Sequence, residues 1–140
     1  MAEESGSAVI EFIVVAVLVL IPMCYVVLTV MRVQAATYAS TQAVREAGRA
    51  FSMADSVGGG VRAARIAADL AFADQGFEGP SSNLRISCTP GECLSPGSNV
   101  QVRLDWQVPL PWLPSSFAVD RSIPISAVHE VPVDVYRASP

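Results

Sequence analysis

Glu11 is the only charged side chain between Ser7 and Met31, and every other residue from Ala8 to Met23 is apolar. A carboxylate at the mouth of such a stretch is costly unless something neutralises it, which marks the position as functional. Gly6 stands just before the stretch; counted from Ser7, Glu11 is the fifth residue and Phe12 the sixth. Glycine has no side chain and leaves its backbone open to close approach by a protease. A carboxylate in low dielectric seeks a positive partner. The chemistry these residues could offer is backbone access at Gly6 and charge pairing at Glu11.

The other reactive residues are few. Cys88 and Cys93 flank Thr-Pro-Gly-Glu, a turn sequence that can bring two thiols within bridging distance. A disulfide there implies an oxidising compartment outside the cytoplasm. The competing metal reading needs further ligands, and His129 is the single histidine. Cys24 lies inside the apolar stretch, where a thiol is a small inert hydrophobe. His129 falls on the apolar face of a strand, the setting of a core histidine rather than a base. Gly58 to Gly60 follow no strand and precede no Lys-Ser or Lys-Thr, so they read as a turn and not a phosphate cradle. No nucleophile–base motif is present and the carboxylates are scattered singly, so no enzyme activity, metal or cofactor is expected. All nine basic residues are arginines, spread singly in a chain of net charge −4. Nucleic-acid binding needs a basic patch that this pattern lacks.

These residues need elements to hold them. Phe12 to Met31 is 20 uncharged residues, and a helix of that length covers roughly 30 Å, the thickness of a bilayer core. Three readings of the segment compete: a processed anchor, a plain uncleaved anchor, and a secretory signal cleaved after Val33-Gln34-Ala35. The run exceeds the usual h-region, and the residues before it carry Glu3 and Glu4 with no base, which counts against the signal. Arg32, Arg45 and Arg49 all follow the segment, and the positive-inside rule alone would place that side in the cytoplasm. Long C-terminal domains translocate largely regardless of charge, and the cysteine pair favours the outside.

Beyond the anchor, Val33, Ala36, Ser40, Ala43, Ala47 and Phe51 recur in helical steps. They extend the helix to about Ala54, for a length of roughly 65 Å from Phe12. A second helix follows, with Ala63, Ile66, Leu70, Ala73 and Phe77 as its expected inner stripe, ending near Gly76. From Asn83 the period becomes two. Leu84, Ile86 and Cys88 form one run, Val100 to Val108 a second, and Ile123 to Val135 a third. Pro124 and Pro132 make the third an edge strand or break it. The expected class is α+β: a long N-terminal transmembrane helix, a second helix and a small, mostly antiparallel three-stranded sheet. The expected division is a leader at residues 1–6, the transmembrane and membrane-proximal helix at 7–54, and an extracytoplasmic α+β domain at 55–140. Trp112 and Leu113, within a proline-rich segment from Pro109 to Pro114, are either a contact surface or a rigid corner.

With these residues in hand, the chain resembles the TadE-like pseudopilins of tight-adherence (Tad/Flp) pilus systems. The resemblance is strongest over Gly6 to Phe51, where G-S-A-V-I-E-F opens the anchor and A-V-R-E-A-G-R-A follows it. It is looser over the short cysteine loop and V-Q-V-R-L-D-W-Q-V-P-L-P. The resemblance implies cleavage between Gly6 and Ser7 by a prepilin peptidase, with Glu11 and Phe12 in its recognition and in assembly; the freed amine at Ser7 of a neighbouring subunit would then be the natural positive partner for Glu11. It implies a minor pilin-like role, with other pilin-like subunits, the assembly machinery and the membrane as partners. The leader departs from the family pattern in having no basic residue. The reading from a different class is a membrane-tethered extracytoplasmic binding module with an uncleaved anchor.

Overall fold

The structure, a computed structural model, describes residues 4–110 and 122–136. The chain divides into two units, Met1–Arg32 and Val33–Pro140. Helix α1, Glu4–Ser52, supplies all that is described of the first unit and enters the second. The second unit adds helix α2, Val57–Ala73, a 3-10 turn at Ser81–Asn83, and strands β1, Leu84–Thr89, β2, Asn99–Pro109, and β3, Ser122–Pro132. The strands lie in the order β1-β2-β3 and pair antiparallel throughout. The fold is α+β, as the change of period in the sequence implies.

Alternation builds the sheet. Ile86, Val102 and His129 form one cross-strand row, and Leu84, Leu104 and Ala127 form the next. Val100, Val102, Leu104 and Val108 are buried along β2, while Arg103 and Gln107 between them are exposed. Pro124 and Pro132 are both accommodated, because β3 is an edge strand and the two prolines share one parity. One arrangement, with the missing N–H on the free edge, serves both. The strand stays whole to Pro132. One residue beyond it, the Val133 N–H still donates to the Ser98 carbonyl, at 2.7 Å.

The cover comes from both helices. Ala36, Ala39, Ser40, Ala43, Val44, Ala47 and Phe51 of α1 are buried and share one core with Ala64, Ala68 and Phe72 of α2 and the inner face of the sheet. Small side chains let α1 settle close. A Cβ placed on Gly48 would stand 2.8 Å from Val131 Cγ2, closer than real contacts allow.

Two expectations for α2 are corrected. Gly58 to Gly60 are its first turn and not a loop before it, because Ser56 caps the helix and its hydroxyl accepts from the Gly59 N–H at 3.2 Å. The inner stripe is also different: Gly60, Ala64, Ala68, Ala71 and Phe72 are buried, whereas Ile66 and Leu70 are 69% and 62% exposed. A connection of only Met53 to Ser56 holds the two helices together, with Gly60 against the Phe51 ring. That close approach selects the glycine and alanine face, and the larger side chains turn outward.

The end of α2 matches its sequence. Gly76, at φ +73°, takes the left-handed conformation that glycine adopts without strain. Its N–H donates to the Ala73 carbonyl, and the Phe77 N–H donates to the Phe72 carbonyl, the paired bonds that close a helix C-terminus. This reversal carries Phe77 back onto Phe72, with ring centroids 6.2 Å apart, and both rings meet Trp106 of β2 edge-on at 5.2 and 5.0 Å.

Gly48→Ala tests the packing. Helix propensity alone would favour alanine by about 0.5–1 kcal/mol. The stiff Val131 side chain has little room to yield, and overpacking costs about 1–3 kcal/mol. The variant is therefore expected to be less stable than the parent in denaturant or thermal melts of the full chain.

Candidate functional site

Helix α1 carries all four N-terminal candidates. Gly6 and Ser7 lie within its backbone span, and positions 7 and 11 are one helical turn apart. Glu11 is exposed and has no ion-pair partner among the described residues. Phe12 beside it is 73% exposed. The carboxylate thus carries a charge that nothing described in the same chain neutralises.

Around it the surface is apolar. From Val9 to Met31 the large hydrophobic side chains of α1 stand exposed, a patch far larger than soluble monomers present to water. By length and composition α1 suffices to cross a membrane, and a signal sequence near an N-terminus meets the same criterion. Its polar groups are handled locally. The Thr29 hydroxyl donates to the Tyr25 carbonyl at 2.8 Å, which satisfies it without water. The helix continues through Pro22, although proline removes the bond that would reach back to the Leu18 carbonyl. Cys24 is a free, exposed thiol.

Tyr25 is the residue that sequence reading missed here. Its hydroxyl is buried with no hydrogen-bond partner among the described residues. Only its type gave a signal, since a tyrosine pairs an apolar ring with a polar tip.

The second candidate site is the β1–β2 loop. Cys88 and Cys93 form a disulfide, with Cα atoms 5.2 Å apart. The loop is anchored at two further points. Leu94 is buried in the core although its backbone sits at φ +68°, a region a leucine enters only when its surroundings hold it there. No sequence signal marks it. Buried Ser98 bonds back to Ser95 through both its N–H and its hydroxyl, at 3.1 and 2.7 Å.

The remaining candidates are quickly placed. His129 is half-buried on the inner face of β3, with its ring edge 3.8 Å from where a Gly48 Cβ would lie. Trp112 and Leu113 lie outside the described residues. Among the described residues no three His, Cys, Asp or Glu side chains gather as a metal site would require. A surface hollow of about 320 Å³ between β2 and β3 is lined by Asp105, Trp106, Gln107, Pro124, Ile125 and Ser126. Its one ionisable group, Asp105, is paired with Arg103 at 3.1 Å. Compared with family models, curated proteins and solved structures, the chain matches none.

The disulfide closes a short loop, so its expected contribution to stability is modest, about 2–3 kcal/mol. Denatured, unreduced protein should take up one thiol label, at Cys24, and reduction should expose two more. A Cys88→Ser, Cys93→Ser double variant is expected to stay folded with a lower melting temperature. Labelling of Cys88 or Cys93 before reduction would contradict the bond.

Proposed function

We propose that this chain is a minor pilin-like subunit or assembly factor of a Tad-type pilus, cut between Gly6 and Ser7 by a prepilin peptidase and held in the membrane by α1. The observation that carries the reading is the isolated charge of Glu11. It stands one turn after the proposed cut, in the part of α1 up to Met31, where the exposed large side chains around it are apolar.

In this reading each residue has a physical role. Gly6 gives the peptidase access to the backbone. Cleavage converts the Ser7 amide nitrogen into an amine that is protonated at neutral pH. The Ser7 amine of one subunit and Glu11 of its neighbour then neutralise each other where water is scarce. Removing one partner of a buried pair costs about 3–5 kcal/mol, enough to decide whether a subunit docks. The role is structural, with no turnover of its own.

The disulfide supports an extracytoplasmic second unit, since such bonds persist in oxidising compartments. Arg32, Arg45 and Arg49 on the same side do not oppose this strongly, because long C-terminal domains translocate largely regardless of charge.

Intact mass of membrane-extracted protein is expected to give a chain beginning at Ser7, and Gly6→Val should abolish that cut. A start at Ala36 would identify a signal peptide instead, and a start at Met1 would identify the uncleaved anchor of a tethered binding module.

Assembly is tested separately. Glu11→Gln keeps the size and hydrogen bonding of the side chain but drops its charge, leaving the neighbour's amine unpaired. The variant is expected to be cut normally yet fail to assemble, seen as loss of pili or of crosslinks between subunits. Normal piliation in Glu11→Gln would refute the charge-pairing role.

A further inference from the structure

Helix α2 presents an outer stripe at positions 62, 66, 70 and 74, each four residues from the next, which is one row on a helix surface. The row reads Arg62, Ile66, Leu70, Asp74. All four side chains are exposed, the two hydrophobic ones by well over half. Neither Arg62 nor Asp74 has an ion-pair partner among the described residues. Asp69, by contrast, is already engaged, its carboxylate accepting from the Ser81 N–H at 3.1 Å.

Two properties of this row point beyond the single chain. The first is its charge order. Arg62 lies in the N-terminal half of α2, Arg65 at its midpoint and Asp74 just past its C-terminal end. The helix dipole favours the reverse, with acidic groups at the start and basic groups at the end. The dipole of α2 therefore gives no reason for the arrangement.

The second is self-complementarity. If the row is laid antiparallel against a copy of itself, Ile66 falls on Leu70 of the copy, and Leu70 on its Ile66. In the same register Arg62 falls on Asp74 of the copy, and Asp74 on its Arg62. One two-fold axis, passing between Ile66 and Leu70, satisfies all four contacts at once, as an isologous interface requires. Rows of i, i+4 residues interdigitate in the commonest class of helix packing. Ala63, Ala67 and Ala73 flank the row and offer no bulk to hold the helices apart.

We infer that the outer face of α2 is a homodimer contact, in which Ile66 and Leu70 pack on their counterparts between two Arg62–Asp74 ion pairs. A contact built on one helix belongs to the small, transient class, below about 1,200 Å². It is independent of whether the chain is cleaved or enters a pilus.

Crosslinking and charge reversal test it together, on the full chain in membranes and in a Cys24→Ser background. Copies carrying Ile66→Cys, mixed with differently tagged copies carrying Leu70→Cys, should form a disulfide-linked species on mild oxidation. It should stop at the dimer and exceed what an exposed control, Arg85→Cys, gives. Reversing Arg62→Glu or Asp74→Arg alone should lower the yield by about three- to ten-fold, the range expected when exposed pairs turn repulsive. Both reversals in one chain should restore it. Positions 62 and 74 are about 18 Å apart along one helix, so rescue can come only from pairing between copies. A ladder beyond the dimer, crosslinks to a different protein, a yield no higher than the control's, or no rescue in a double variant with its Cys88–Cys93 bond intact would each overturn the inference.

Discussion

Helix α1 meets the sheet across residues with almost no side-chain bulk, and the second unit is organised by how close that brings them. Gly48 leaves no space for a Cβ before Val131, and Ala39, Ala43 and Ala47 of the same helix lie fully buried. A surface this shallow cannot fill a core from one side. Phe51, Phe72, Leu104 and the valines of β2 supply the volume instead. Close packing at ordinary interior density then leaves each of them little freedom.

The same economy governs α2. Its connection to α1 is short, Gly60 sits against Phe51, and the alanine face is drawn inward. Ile66 and Leu70 are displaced to the outside as a consequence. Around the far end of α2, the turn at Gly76 brings Phe77 back beside Phe72, and Trp106 closes the cluster from the sheet. A helix end, a turn and a strand are tied together there by three edge-on aromatic contacts, each worth about 0.5–1.5 kcal/mol beyond the area buried.

The first unit follows a different rule. Its exposed apolar surface is larger than soluble monomers present to water, and none of the described residues covers it. Glu11 stands out there, because the Thr29 hydroxyl is satisfied within the helix whereas the carboxylate has no ion-pair partner among the described residues. The two units thus divide the physics: one buries its apolar side chains in a core of its own and the other leaves them exposed.

Much of this was legible in the residues. Runs of charge-free sequence announce α1, and the switch from a period near 3.6 to a period of two marks where helices give way to strands. Gly76 announced the end of α2, Pro124 and Pro132 an edge strand, and Cys88 with Cys93 a bridge. Glu11 was legible for the same reason, since a charge among hydrophobes is an anomaly in one dimension as in three. What only the tertiary structure decided was which of two possible faces of α2 turns inward. By hydrophobicity Ile66 and Leu70 should be buried, but the distance between helices is set by Gly60, Phe51 and a short connection, and only small residues fit it. Likewise, Ser56 made a helix start of three glycines that read as a turn, and the core holds Leu94 in a backbone conformation its type disfavours. Periodicity reports what each segment can bury. How closely its neighbours approach determines what it does bury, and that distance is a property of the packed fold.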